Sequence, residues 1–349
     1  MDDLFSDAVR QLLADQCTPQ VVRAIESDAA SPARQSLWQH IEDAGFADAL
    51  VSESQGGAGL SLPEAHPLFE QCGAYAMPLP LAETVLARAL LAQAGVARPT
   101  GSIAFGQALS DADGRVRCDT VHLGRVADWV LARQDQHCLL LPTAKASASP
   151  AGFALDATLE WPAADCADAP RVAAAPDLRL LQACTAAAQL AGALMRVFES
   201  TLQYANDRQQ FGRPIGKFQA IQHQLSVISE HVFAARMAAQ IGCQIDHQGD
   251  HQNNHQRDSL TPDRLRVAIA KARASEAAVE VAALSHSIHG AIGFTAEFDL
   301  QLFTRRLHLW RQTGGSESYW HDVAGAALVE QHDGLTVDLI RRATDVAFA

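Results

Sequence analysis

The 349-residue sequence has no Cys-x-x-Cys pair, no Gly-x-Ser-x-Gly elbow and no Walker loop. Its seven cysteines, an odd number, are scattered from Cys17 to Cys243. Such spacing predicts reduced, mostly buried thiols in a cytoplasmic protein rather than a disulfide framework. Without the elbow there is no warrant for a nucleophilic triad. Positive charge is short: 27 Lys and Arg face 40 Asp and Glu, a net charge of −13. That balance argues against wrapping nucleic acid. No uninterrupted apolar run approaches the roughly 18–20 residues that span a bilayer, so no membrane partner is expected. The opening Met1-Asp2-Asp3-Leu4 is acidic and predicts no secretory leader. What is plentiful is apolar material, 48% of residues against 19% charged, which excludes wholesale disorder. The length predicts two or three domains.

Three stretches follow one another. Residues 1–99 read as helices with short breaks. Gly56-Gly57-Ala58-Gly59 interrupts the chain, and Ser61 caps a helix with Pro63 and Glu64 in its first turn. Pro78 and Pro80 precede an alanine- and leucine-rich stretch from Leu81 to Ala94. Residues 100–175 read as a small β domain. Trp129–Ala132 and His137–Leu141 flank the polar run Arg133-Gln134-Asp135-Gln136, a hairpin signal without the favoured Asn-Gly turn, and Gly101–Phe105 predicts another strand. Residues 176–349 are helical again. Leu190, Leu194, Val197, Thr201, Leu202 and Ala205 recur at helical spacing, as do Phe218, Ile221, Leu225, Ile228 and Val232. A third, alanine-rich helix is predicted from about Pro262 to Ile288, and small side chains favour a close-packed bundle. His247, His251 and His255 are spaced i, i+4, i+8 like metal ligands. Gly249 and Asn253-Asn254 oppose a helix there, so the segment reads as a solvated connection and no metal is expected.

Two segments carry more specific information. One is Asp207-Arg208-Gln209-Gln210-Phe211-Gly212-Arg213-Pro214-Ile215-Gly216-Lys217-Phe218-Gln219. The other is His289-Gly290-Ala291-Ile292-Gly293-Phe294-Thr295. Both resemble signatures of the acyl-CoA dehydrogenase family: Arg-x-x-Phe-Gly-x-x-Ile-x-x-Phe-Gln, and a Gly-Gly-x-Gly-Phe/Tyr loop with Ala291 in place of one glycine. Glu53–Ser61 resembles the family's Pro-Glu-x-x-Gly-Gly-x-Gly stretch. The resemblance implies a mainly α protein with a small β domain: an N-terminal helical domain, a shortened middle β domain and a C-terminal four-helix bundle. It implies FAD as cofactor, an acyl-CoA as substrate, and an oligomer whose subunits share FAD sites. Arg208 would offer a charged fork to the pyrophosphate, and Phe211 a flat apolar face. With them, Gln210, Gln219, Ser287, Gly290, Ala291 and Ser316 are the cofactor candidates that the resemblance implies. The family's reaction is α,β-dehydrogenation: a carboxylate takes the α proton and the β hydride goes to the flavin. The thioester must first be acidified by hydrogen bonds and stacking on the flavin.

The pattern breaks at the carboxylate. Where many members have a Tyr-Glu-Gly-Thr base, this chain has Thr313-Gly314-Gly315-Ser316, with Gly314 at the base position. Others carry the base at the start of the first C-terminal helix; here that region is Leu181-Gln182-Ala183-Cys184. The nearest acids are Glu317 and Asp177. Glu317 is a candidate base, and equally a first-turn acid favoured by a helix dipole. The family's Thr-Glu-Pro-x-x-Gly-Ser-Asp stretch, which holds the flavin ring, has no counterpart. Both losses resemble the base-lacking chain of bacterial heteromeric dehydrogenases that act on steroid side chains. The expected function is therefore a flavoprotein subunit completing an FAD site with a related chain. Three alternatives stay open: a self-sufficient homodimeric or homotetrameric dehydrogenase using Glu317, a non-catalytic scaffold subunit, or a flavin-dependent monooxygenase of the same fold.

Overall fold

The computed structural model describes residues 2–173, 177–245, 260–330 and 335–344. They group into two compact units. The first comprises the residues up to Leu68, Met77–Gln182 and the short piece 260–261; the second comprises Phe69–Ala76, 183–245 and the described residues from Pro262 on.

The first unit opens with helices, some of which start where a side chain satisfies a free backbone N–H group. These helices are α1 (Asp2–Gln16), α2 (Pro19–Ser27), α3 (Pro32–Asp43), α4 (Leu62–Ala74, entering the second unit) and α5 (Leu81–Gln93). Thr18 caps α2 and Ser31 caps α3, each followed by proline at the first helical position. Ahead of α4, Glu64 accepts from both the backbone N–H and the hydroxyl of Ser61 at 2.7 Å, a capping box in geometry as in sequence.

Seven strands follow: β1 (Ile103–Ser110), β2 (Val116–Val121), β3 (Trp129–Gln134), β4 (His137–Pro142), β5 (Ser147–Pro150), β6 (Ala157–Trp161) and β7 (Arg171–Ala173). The short helix α6 (Ala163–Ala167) lies between the last two. They form one sheet in the order β5-β6-β2-β1-β3-β4-β7. β3 and β4 form the expected antiparallel hairpin, its turn passing through Asp135 at φ +49°. β1 pairs with β3 in parallel, Ile103 opposite Trp129. Glu83 of α5 accepts from the Phe105 N–H at 2.7 Å, and Thr84 both donates to and accepts from the Ile103 backbone. These bonds fasten α5 to β1.

The second unit is helical: α7 (Leu178–Asp207, beginning in the first unit), α8 (Gln219–Gly242), α9 (Arg264–His289), α10 (Leu300–Gln312), α11 (Glu317–Glu330) and α12 (Thr336–Thr344). α7 is long and apolar enough to cross a bilayer by length and composition, but 78% of that window is buried inside the protein. Leu190, Leu194, Val197, Thr201 and Ala205 face the core, whereas Leu202 is exposed. The end of α4 meets α7 backbone to backbone. A Cβ on Gly73 would stand 1.8 Å from the Gln189 carbonyl oxygen, and one on Gly192 would stand 1.9 Å from that of Glu70. Ala187, Ala191, Ala238, Ala239 and Ala270 continue the small-residue contact between α7, α8 and α9. All seven cysteines are buried. His247, His251 and His255 lie outside the described residues. Among the described residues no three His, Cys, Asp or Glu are placed to hold a metal ion.

Candidate functional site

α7 ends one residue before Arg208, whose backbone N–H still donates to the Tyr204 carbonyl. A two-stranded ribbon follows, β8 (Gln209–Gln210) against β9 (Arg213–Pro214). Two residues turn it, Phe211 at φ +51° and Gly212 at φ +80°, as tight hairpins require. Glycine accepts that conformation without cost. Phenylalanine does not, yet Phe211 stands at the tip and is 92% exposed. Its edge meets Phe218 (centroids 6.1 Å apart), and the Arg213 guanidinium covers the Phe218 ring at 4.2 Å. Arg208, Gln210 and Gln219, the first residue of α8, are exposed on this ribbon and its exit.

The glycine loop lies next to it. Tyr204, one turn before Arg208, stacks on His289 (4.3 Å, 21°) and donates from its hydroxyl to the His289 carbonyl. Gly290 then ends α9 at φ +65°, with open space where a Cβ would be. Ala291 is exposed in the following 3-10 turn. Ser287, on the last turn of α9, accepts from Gln224 of α8 at 3.4 Å. The structure thus brings Arg208, Gln210, Phe211 and Gln219 to the same end of the bundle as Ser287, Gly290 and Ala291.

Two histidines support this end. His286 stacks on Phe294 (4.2 Å) and bonds Thr304, while His289 bonds the Ser285 carbonyl. His286 Nδ1 and His289 Nε2 are buried without a hydrogen-bond partner. Burial pushes the His286 pKa down, reinforced by His308; burial also pushes His289 down against its Ser285 bond, with His286 adding to the shift. Groups that resist protonation when folded contribute stability above the ordinary value near 6.5 and lose it as pH falls through that value toward the lowered one. Thermal stability should therefore decline from pH 7 to 5.5, and His289→Gln should flatten that decline, as read by differential scanning calorimetry.

Ser316, Gly314 and Glu317 sit elsewhere. α10 returns along α9, so the α10–α11 turn meets α9 at Lys271, eighteen residues from His289. That is about 27 Å along the helix at 1.5 Å per residue. Ser316 receives the Tyr319 N–H at 3.5 Å as the cap of α11. Gly314 is buried at φ +70° and Gly315 follows at φ +109°. Trp320 Nε1 donates to the Gly314 carbonyl at 3.0 Å. Lys271, fully buried, donates to the carbonyls of Arg311 (2.8 Å) and Gly315 (2.9 Å) and meets Ser275 Oγ at 3.0 Å. Glu317 opens α11, and its Oε1 takes both the Nε and Nη2 donors of Arg311. Burial would raise the Glu317 carboxyl; the Arg311 hydrogen bond and charge, with Lys271 behind, hold it below the ordinary carboxylate range. A general base needs the opposite shift. Asp177 accepts from the N–H groups of Arg179 and Leu180 and pairs with Arg133, the arrangement of a helix cap.

Sequence reasoning missed Lys271 and Glu83. Glu83 is buried, and burial raises its carboxyl against the opposing field of His122 and the bonds from Gln182 and Phe105. The available signal was a charged residue inside an otherwise apolar stretch.

Family models for the acyl-CoA dehydrogenase C-terminal and N-terminal domains match residues 181–328 and 2–97. Acyl-CoA dehydrogenase IpdE2 of Mycobacterium tuberculosis (strain ATCC 25618 / H37Rv) is 30% identical over 309 residues, 87% of this chain and 90% of that protein. The chain belongs to the acyl-CoA dehydrogenase family. Members of this family are FAD-dependent. Two acyl-CoA dehydrogenase-type structures share the fold. The ChsE4-ChsE5 complex from Mycobacterium tuberculosis superposes with a TM-score of 0.77 at 22% identity, covering 94% of this chain and 97% of that one. A variant of the Tcur3481-Tcur3483 steroid acyl-CoA dehydrogenase gives 0.76 at 23% identity, covering 95% and 98%.

Proposed function

We propose that this chain is the base-lacking subunit of a heteromeric acyl-CoA dehydrogenase, completing an FAD site with a related chain that supplies the catalytic carboxylate. The observation carrying this reading is the α10–α11 turn. The base position is a buried glycine, and the nearest acid is locked to Arg311. The separation along α9 supports it. Arg208, Phe211 and Gly290 lie at one end and Ser316 at the other, so a second chain is needed to complete either group. The two structural relatives are complexes of two different chains, and one of them is described as a steroid acyl-CoA dehydrogenase, which favours a bulky acyl-CoA as substrate.

The residues fit the cofactor. Gly290 leaves its backbone open to close approach, and buried imidazole nitrogens without partners lie beside it. Arg208 would bind the pyrophosphate as a charge-assisted fork, with Gln210 and Gln219 donating or accepting beside it. Phe211 would lie flat against the cofactor or the partner chain, which would bury a side chain that stands in water here. Gly290 and Ala291, with Ser287, would line the adenine side, and Ser316 would serve at the opposite end of the subunit. Held by these residues, FAD would supply the hydride acceptor for the β carbon of the thioester. The α proton would go to a carboxylate of the related chain, because Gly314 has no side chain to take it and Glu317 is held by Arg311 below the ordinary carboxylate range.

Anaerobic titration with acyl-CoAs tests the reading. The chain purified alone should be colourless. Co-expressed with a related dehydrogenase chain, it should yield a yellow complex that bleaches on adding acyl-CoA. Glu317→Gln in that complex should change the bleaching rate less than about threefold, whereas loss of a true general base costs roughly 100- to 10,000-fold. A lone chain that is yellow and bleaches would overturn the reading.

A further inference from the structure

Lys271 is a fully buried lysine whose three partners include no carboxylate. Glu317 carries the nearest negative charge, and its Oε1 is already claimed by Arg311. Glu317 Oε2 is buried without a hydrogen-bond partner and does not bond the amine. A buried ammonium with no directly bonded carboxylate is costly, and groups in that position give up their proton instead. The partner set suits an amine that has done so. Two carbonyls can only accept, which uses both N–H bonds of a neutral amine. The remaining partner is a hydroxyl, and a hydroxyl can donate to the lone pair. The carbonyls it holds are those of Arg311 and Gly315, either side of Gly314. The Gly314 carbonyl itself is held by Trp320. The turn is therefore pinned from two sides although it presents no carboxylate to aim.

We propose that Lys271 is the positioning residue of the α10–α11 turn, binding its two carbonyls as an uncharged amine whose lone pair receives the Ser275 hydroxyl. What it positions is the turn's own backbone and Ser316, the candidate cofactor contact. That consequence for the cofactor rests on the heteromeric reading above. The amine's charge state does not. Burial pushes the Lys271 pKa down to about 7. Among the described residues the charged groups acting on it are Glu317 on α11, which favours the cation, and Arg311 on α10, which disfavours it.

The chain has only three lysines, Lys145, Lys217 and Lys271, so isotope-labelled lysine gives a readable side-chain NMR spectrum of the intact protein. One signal should titrate near neutral pH and vanish in Lys271→Met. The absence of any signal titrating near neutral pH would overturn the uncharged-amine assignment, and this measurement needs no variant to fold. The folded-state value lies below that of the unfolded lysine, so native protein binds fewer protons between them and stability rises with pH. From pH 7.5 to 8.5 the folding constant of the wild type should rise about tenfold more than that of Lys271→Met. Equal slopes would again overturn it. In the complex with a flavin-bearing partner, Lys271→Met should weaken FAD binding at least tenfold while the two chains still co-elute. Unchanged FAD affinity in a chain that passes the titration test would reduce Lys271 to a structural anchor and overturn positioning. If the wild-type complex binds no FAD, the heteromeric reading fails and the positioning role with it, while the lysine titration still decides the amine's state.

Discussion

Gly314→Glu should destabilise the chain by about 4 kcal/mol or more and restore no base. The substitution puts a carboxylate where the sequence resemblance places the family's base, but this turn is not built to take it. A side chain at φ +70° costs about 1–2 kcal/mol. Gly314 is also buried, with its carbonyl taken by Trp320 and its neighbours' carbonyls by Lys271. An unpartnered carboxylate in such surroundings costs several kcal/mol more, or stays protonated. Against a total stability of roughly 5–15 kcal/mol, much of the margin is gone. Gly314→Ala isolates the backbone part and should cost only about 1–2 kcal/mol. Urea unfolding of both variants checks the ranking. A Gly314→Glu chain as stable as the wild type that also bleached its flavin with acyl-CoA would show instead a catalytic position silenced by one substitution.

The second large effect lies in the first unit. Arg88 is almost fully buried on α5 and bonds both oxygens of Glu42, Asp48 Oδ2 at 2.8 Å and the Gly101 carbonyl at 3.1 Å. Arg88→Leu leaves these carboxylates without their partner and should lower stability by about 3–5 kcal/mol. Asp48 keeps Arg98, whereas Glu42 keeps only its Trp38 and Gly101 N–H donors and loses its cation. The double change Arg88→Leu with Glu42→Leu should recover most of the loss, because a well-packed apolar pair replaces a buried ionic one at little net cost. The acid limb offers a second readout. Burial raises Glu42, but Arg88's hydrogen bond and charge outweigh it and hold the group below 4.5. Its contribution is therefore present above pH 4.5 and lost as pH falls through the lowered value. Arg88→Leu should remove that acid-side loss. If the single variant unfolds at the wild-type urea midpoint, the cluster contributes nothing net.

These two predictions fall on opposite sides of what the sequence made legible. Local signals were readable because they act over a few residues. Ser61 with Glu64 announces α4, and the polar run at Arg133–Gln136 separates β3 from β4. The period of Leu190, Leu194 and Val197 gives α7. The parallel pairing of β1 with β3 was not readable, because β2 intervenes in the chain and no local pattern records which strands become neighbours. Arg88 and Glu83 were passed over for the same reason. Their partners, Glu42, Asp48 and the Phe105 N–H, lie tens of residues away, and without them a charge in an alanine- and leucine-rich stretch looks incidental. At the candidate site the motifs were visible, and so was the lack of a carboxylate in Thr313–Ser316. Their distribution along α9 was not, since Ser316 and Arg208 look like members of one set until the helix between them is given its length. Lys271 sat unnoticed among alanines, because only the returning α10 shows what it holds.

The buried thiols have a practical corollary. With no cysteine at the surface, an alkylating reagent finds nothing to modify while the native structure holds. Each thiol becomes modifiable only when its own region opens. Cys17 and Cys72 report on helical segments, Cys118, Cys138 and Cys166 on the sheet and α6, and Cys184 and Cys243 on the contact between α7 and α8, where their sulfurs lie 3.3 Å apart. A timed pulse of alkylation followed by mass spectrometry of peptides would turn the chain into its own clock. It would time the opening of helices, sheet and bundle separately, without any introduced label.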